Sequence, residues 1–234
     1  MKMHSLCSSP MDVESTQTSK QPVIEMPLGL KIGYKEVLAE VDKGITLRAG
    51  THYLLARNGR GKTTLLRTLA KVLRPLGGKF SCDGRCQLLG EDLVFDRELP
   101  PKLVLRSLLP KASYQEALDL ADRLELDVKK PYGKLSTGNK RKVALLVAEF
   151  SVVPGQAEIL LLDEPFTGLD AFAREIFQEL WADRRDGVLR LVSAHPDFDS
   201  MVMKSSVLIT EGRIVHLMGD EAPKQWGELK KQLS

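Results

Sequence analysis

Cysteine is scarce in this chain: three residues in 234, at Cys7, Cys82 and Cys86. So few thiols exclude a disulfide scaffold. Cys82 and Cys86 have neither a second cysteine pair nor a nearby histidine, so a metal site there lacks ligands. Both read as plain strand residues of a reducing compartment. No apolar run approaches the roughly 18 residues a membrane helix needs, so any membrane role must come through a partner. The amino-terminal stretch lacks the apolar segment of a signal peptide. It is rich in Ser, Thr and Gln, and residues 1–22 are expected to form a disordered tail. The protein is expected to be soluble and cytoplasmic. Net charge is also slight, +3, which gives no argument for nucleic acid, a partner that usually needs a clustered basic face; no nucleic-acid partner is expected. There is no internal repeat.

What the chain does have is enough apolar residue, 43%, for a sizeable core. Between Val23 and Arg48 short apolar segments alternate with Gly and charged residues, as in an antiparallel sheet. His52–Ala56 is the next expected strand. Leu65, Leu66, Leu69, Val72 and Leu73 then repeat at helical spacing. Phe80–Leu89 carries Asp83-Gly84, a strong two-residue hairpin signal. From Leu93 to Asp127 the pattern is helical, punctuated by Pro100-Pro101. Val143, Leu146, Val147 and Phe150 mark a further helix. Ile159–Leu162 reads as a fully buried parallel strand, with a similar one at Leu189–Val192. Ser206–Ile209 and Arg213–Leu217 flank Glu211-Gly212 as a closing hairpin. The alternation predicts an α/β core with a helical insertion near residues 92–152. The main domain is expected over 23–220, with a tail over 221–234.

Three stretches carry chemistry. The first, Ala56-Arg57-Asn58-Gly59-Arg60-Gly61-Lys62-Thr63-Thr64, nearly fits the phosphate-loop pattern, with Ala56 where glycine is usual. Successive N–H groups of such a loop form an anion nest at a helix start. Lys62 would meet the β- and γ-phosphates, and the Thr63 hydroxyl would ligate Mg²⁺. Gly59 and Gly61 stand where a Cβ would crowd the nucleotide. Ala56, at the loop's entrance, adds one tolerable methyl. The second stretch, Ile159–Leu162 followed by Asp163-Glu164-Pro165, puts two carboxylates at the end of a buried strand, the edge where ligands bind in α/β sheets. Asp163 suits a Mg²⁺ shell, and Glu164 suits a general base. The third, Leu135-Ser136-Thr137-Gly138-Asn139, opens a helix whose first turn holds Lys140, Arg141 and Lys142. A helix dipole disfavours cations there, by roughly 0.3–1 kcal/mol each, which a bound polyphosphate would offset. A Ser cap with a solvated basic face is the plainer alternative.

These stretches, with Thr167-Gly168-Leu169-Asp170 and His195 after Val192-Ser193-Ala194, resemble the five ordered motifs of the ABC transporter ATPase subunit, from about Pro27 to Leu217. Short bacterial exporter ATPases, including the heme-exporter type of cytochrome c maturation, are the most similar members. The resemblance implies a P-loop NTPase core with an N-terminal antiparallel β subdomain and a helical insertion subdomain. It implies ATP and Mg²⁺ as ligands, and hydrolysis by Glu164 with His195 on the γ-phosphate. Tyr34 would stack on adenine, and Asn58, Gly59, Arg60, Gly61, Lys62, Thr63 and Thr64 would cradle phosphates. Ser136, Gly138 and Asp170 would serve the ATP of a second ATPase subunit, in a head-to-tail homo- or heterodimer. Integral membrane transporter subunits would be the other partners, at the cytoplasmic face of the inner membrane. Departures are Ala56 and Thr137 for glycine, Asn139 for glutamine, and Glu91 where the family places a Mg²⁺-contacting glutamine. Gln87 lies too early, inside a strand. A ribosome- or DNA-associated ATPase of the same superfamily is the alternative function. Such members usually carry two ATPase domains or long coiled-coil insertions, neither of which this sequence has.

Overall fold

A computed structural model describes residues 21–153, 155–183, 186–194 and 203–219. His195, the expected tail over 221–234 and all but the last two residues of the tail over 1–22 lie outside these residues. An eight-stranded sheet forms the centre. Its strands are β2 (Lys31–Gly33), β3 (Val37–Val41), β5 (Gly50–Ala56), β7 (Arg85–Leu89), β8 (Glu158–Leu162), β9 (Leu189–Ala194), β10 (Ser205–Thr210) and β11 (Arg213–Met218). The order across the sheet is β2-β3-β11-β10-β5-β9-β8-β7. From β10 to β7 every neighbouring pair is parallel. The expected hairpin forms: β10 and β11 are antiparallel around Glu211 (φ 48°) and Gly212 (φ 74°).

Side-chain alternation builds two cores from this one sheet. Tyr53, Leu55, Leu160, Leu162, Val192 and Leu208 face a core shared with the helices α2 (Pro101–Leu108), α3 (Lys111–Arg123), α4 (Thr137–Phe150) and α5 (Ala171–Asp183). Leu54, Ala56, Ile159, Leu161, Leu191 and Val207 face the other core. There they meet Leu65, Leu66 and Leu69 of α1 (Lys62–Leu69), with Ile24 and Met26 of β1 (Val23–Met26) and Ile45 and Leu47 of β4 (Ile45–Leu47). Residues buried on both faces of a strand explain why these segments read as unbroken apolar runs. Each fully buried Leu, Ile or Val among them contributes about 1.5–3 kcal/mol of transfer free energy. The result is a P-loop NTPase-type α/β fold, with β6 (Ser81–Asp83) completing a small antiparallel sheet of order β4-β1-β6, and a block of helices between β7 and β8.

Three local expectations fail. Asp83-Gly84 is not a hairpin. β6 (Ser81–Asp83) pairs with β1 in the small sheet, while β7 pairs with β8 in the large one. Gly84, at φ 143°, carries the chain from one sheet to the other, and a Cβ there would lie 3.0 Å from the Ala157 carbonyl oxygen. The α1 helix ends at Leu69, and Lys71 turns left-handed at φ 60°, which leaves Val72 exposed rather than on the apolar face. The helical pattern assigned from Leu93 starts only at Pro101, the first residue of α2, where the missing N–H costs nothing.

Candidate nucleotide site

The β5 strand runs parallel between β9 and β10 and delivers the glycine-rich loop to the sheet edge. Ala56 is its last residue, fully buried and in register with Ile209. It has no left-handed backbone, so a methyl fits where the pattern asks for glycine. The loop proper does need glycine: Gly59 sits at φ 74° and Gly61 at φ 107°. Lys62 opens α1 and turns back across the loop. Its ammonium donates to the Ala56 carbonyl at 3.4 Å and pairs with Glu164 Oε1 at 3.3 Å.

A cleft of about 430 Å³ gathers Tyr34, Asn58, Gly59, Gly61, Lys62, Thr63, Thr64 and Glu164. Tyr34 is 56% exposed, and its hydroxyl accepts from Arg67 Nη1 at 3.4 Å. Arg60 lies on the same loop, exposed, without lining the cleft. A second cleft, about 640 Å³, brings Thr63, Glu91 and Asp163 together beside Arg67 and the exposed Val72, Leu93 and Val94. Thr63 lines both clefts, so the glycine-rich loop borders each of them.

The carboxylates are held from several directions. Ser193 on β9 donates to Asp163 Oδ1 at 2.9 Å, and its oxygen accepts the Glu164 N–H at 2.7 Å. Glu164 itself has φ 44°. For a residue with a Cβ the left-handed region costs roughly 1–2 kcal/mol, which the surrounding bonds offset. Thr167 Oγ1 donates to Glu164 Oε2 at 3.4 Å. Burial, then the charges of Glu164 and Asp163, push the Glu91 carboxyl above its ordinary range. Gln87 is turned away within β7, where its carbonyl accepts from Ser151 Oγ at 2.9 Å. Among the described residues no group of three or more His, Cys, Asp or Glu side chains is placed to hold a metal ion by itself. A Mg²⁺ ion does not need one: it keeps waters and takes one or two carboxylates together with phosphate oxygens. Thr63 and Asp163, on one cleft wall, fit that demand.

The Ser136–Asn139 stretch lies apart from both clefts. Ser136 caps α4, its Oγ accepting from the Asn139 N–H at 3.2 Å. Gly138 is packed so closely that a Cβ would stand 2.7 Å from the Gly168 carbonyl oxygen. Asp170 caps α5, accepting from the Ala173 N–H at 2.7 Å, and that bond holds its carboxyl below the ordinary value. The basic turn is not a solvated face or a free phosphate clamp. Lys140 stacks over Tyr132, 5.6 Å from the ring centre. Lys142 donates to the Leu124 carbonyl at 2.9 Å and pairs with Asp170 at 3.3 Å. Arg141 is buried and faces backbone carbonyls of the carboxylate loop. Sequence reasoning missed these inward turns. The available signal was helical spacing: Arg141 and Lys142 share the buried run with Val143–Leu146.

Comparison with known proteins agrees with this geometry. The ABC transporter family description matches residues 44–167. The cytochrome c biogenesis ATP-binding export protein of Sphingopyxis alaskensis is 30% identical over 187 residues, covering 75% of this chain and 91% of the relative. The aliphatic sulfonates import ATP-binding protein of Corynebacterium glutamicum is 32% identical over 208 residues, covering 82% and 81%. Among solved structures, a putative ABC transporter ATP-binding protein of Pyrococcus furiosus superposes with TM-score 0.61 at 25% identity, covering 74% of this chain and 91% of that one. An ATP-binding subunit of an ABC transporter superposes with TM-score 0.72 at 22% identity, covering 90% and 99%, a likeness of fold. Export and import proteins match to a similar degree, so the likeness reaches the ATP-binding subunit and no particular cargo. By its matched residues and its relatives, this chain belongs to the ABC transporter family as an ATP-binding protein.

Proposed function

We propose that this chain binds ATP through the Gly59–Thr64 loop, hydrolyses it with Glu164, and powers transport by membrane subunits on which it docks from the cytoplasmic side. The observation that carries the proposal is the single cleft uniting Tyr34, Lys62, Thr63 and Glu164, with Lys62 and Glu164 3.3 Å apart. Lys62 and the loop N–H groups hold the β- and γ-phosphates, and Tyr34 offers its exposed ring to the base. Thr63 and Asp163 would hold Mg²⁺, which would supply charge neutralisation on the phosphates. Glu164 takes a proton from the attacking water as the water oxygen bonds to phosphorus. The bond to the β-phosphate oxygen breaks, and ADP keeps that electron pair. The protein's part is mostly positioning and charge neutralisation. By the family resemblance, His195 would contact the γ-phosphate.

Ser136, Gly138 and Asp170 are absent from the cleft of their own chain. That supports a second ATPase subunit, like or unlike, whose ATP they would serve head to tail. The exposed Val72, Leu93 and Val94 beside Glu91 offer an apolar face to a membrane partner. The test is ATP binding, hydrolysis and pull-down from solubilised membranes. Lys62→Ala should lose about 10- to 150-fold in ATP affinity, the worth of a charge-assisted contact of roughly 1.5–3 kcal/mol. Ser136→Arg should keep affinity but lose ATP-driven dimerisation. Unchanged affinity in the first variant removes the phosphate-loop assignment, and unchanged dimerisation in the second removes the two-chain site.

A further inference from the structure

Arg141 stands on α4, one turn after Ser136, yet its guanidinium is spent entirely on other elements. Nε donates to the Pro165 carbonyl at 3.2 Å, and Nη2 to the carbonyls of Asp163 and Glu164 at 2.5 and 2.9 Å. Nη1 donates to the Gly90 carbonyl at 3.0 Å, next to Glu91. Three successive carbonyls of the carboxylate loop therefore converge on one side chain. They can do so because Glu164 is left-handed, at φ 44°. A second main-chain brace on Glu164 is its N–H, which donates to Ser193 Oγ. Arg141 is only 8% exposed, and burial pulls its pKa down while Glu91, Asp163 and Glu164 hold it up. A planar fork with five donors is what such a set of carbonyls requires, and a lysine has no such fork.

We propose that Arg141 is a positioning residue: it fixes the left-handed turn that aims Glu164, and in doing so ties the helix opened by Ser136 to the chain's own hydrolytic site. The idea rests on the function proposed above, and it adds a physical link between the two half-sites of one subunit. A nucleotide that draws Glu164 away from Lys62 pulls on the loop whose carbonyls Arg141 grips. The pull passes to the first two turns of α4, where Gly138 abuts Gly168 and Lys142 holds Asp170. The helix presented to the second subunit thereby responds to the occupancy of the first.

The test compares wild type, Arg141→Lys and Ser193→Ala for binding of a fluorescent ATP analogue, for kcat and KM, and for ATP-driven dimerisation in a Glu164→Gln background. Arg141→Lys keeps the charge and loses the fork. It is expected to bind the analogue as wild type does, while kcat falls about 10- to 100-fold, the scale of a misplaced catalytic group. Its Glu164→Gln dimer should need several-fold more protein to form. Ser193→Ala, which removes the brace on the Glu164 N–H, should lower kcat but leave dimerisation alone. Wild-type kcat in Arg141→Lys overturns the positioning role. Equal loss of analogue binding overturns it too, since the arginine would then hold the fold. Normal dimerisation of Arg141→Lys, or a matching defect in Ser193→Ala, overturns the link to α4. If wild type itself neither hydrolyses ATP nor dimerises with it, the underlying functional proposal fails as well, an outcome distinct from the other four.

Discussion

Replacing Glu164 by Gln should tighten nucleotide binding, apart from any effect on turnover. In the described state the Lys62 ammonium, 6% exposed, pairs at 3.3 Å with a Glu164 carboxylate that is 19% exposed. A phosphate entering the loop must compete with that carboxylate for the same cation. At the observed separation the attraction is about 5 kcal/mol for an effective dielectric of roughly 20. Most of this is offset by the desolvation of both groups. The net lies between the roughly 0–1 kcal/mol of exposed pairs and the 3–5 kcal/mol seen when buried ones are broken. A middle value of about 1–2 kcal/mol gives a gain of roughly 5- to 30-fold in affinity. Binding should be measured by fluorescence titration of ADP and ATP analogues without Mg²⁺, in wild type, Glu164→Gln, Lys62→Met and the double variant. Removing a competitor for Lys62 strengthens both nucleotides, whereas relief of repulsion with the γ-phosphate strengthens ATP alone. On the Lys62→Met background the gain should vanish, since no ammonium is left to free. An unchanged ADP affinity in Glu164→Gln, or the same gain without Lys62, would refute this reasoning. In hydrolysis the same variant should lose about 10²–10⁴ in rate, the usual worth of a general base.

Other expectations follow from the surrounding structure. Glu91→Gln should shift the Mg²⁺ dependence of hydrolysis several-fold, because Glu91 lines a cleft with Thr63 and Asp163 and the charges of Glu164 and Asp163 act on its carboxyl; Asp92→Asn, on the same cleft, should do much less, and equal effects would make Glu91 an ordinary loop residue. His52 Nε2 donates to the Arg48 carbonyl at 2.8 Å, so its Nδ1 accepts from Ser205 Oγ, which in turn accepts from His216 Nε2 at 2.7 Å. Burial holds His52 below its ordinary 6.5, and burial with the nearby His52 does the same to His216. The unfolded chain therefore takes up protons that the folded chain refuses. Stability should be full above pH 6.5 and fall as pH drops below it, and His52→Gln should flatten that slope in urea titrations; an unaltered slope counts against the pair. Glu149→Ala should cost about 3–5 kcal/mol by thermal or urea melting, because it strips a buried carboxylate from Arg190 and from the Trp181 N–H; a cost near zero would mean that Asp186 alone satisfies the arginine.

What the sequence made legible was local. The strand–loop–helix at Gly50–Leu69, the carboxylates ending β8, and the Glu211-Gly212 hairpin each depend on neighbours a few residues away. The Asp83-Gly84 expectation failed because two distant strands, β1 and β8, claim the residues on either side. Tertiary pairing there outweighs turn propensity. The inward turn of Arg141 and Lys142 was illegible for a related reason. Apart from the Asp170 carboxylate beside Lys142, their acceptors are main-chain carbonyls, Gly90, Leu124, Asp163, Glu164 and Pro165, and a carbonyl has no letter of its own. The placement of Glu91 beside Asp163 came from counting residues past a strand, which works only because β7 and β8 are in register through Leu89 and Leu162.

The passage at Gly84 bears on how this protein comes apart. Asp83 is paired to Val23 in one sheet, and Arg85 to Glu158 in the other, with a single residue between them. One residue spans at most about 3.6 Å, so neither sheet can draw away while the other stays paired. The small antiparallel sheet is therefore fastened to the centre and does not behave as a separable flap. Amide protons of Ile24, Glu25 and Cys82 should exchange at the same opening free energy as those of Gln87 and Leu88 across the passage. An engineered loop of several glycines inserted after Gly84 should split that single exchange class into two.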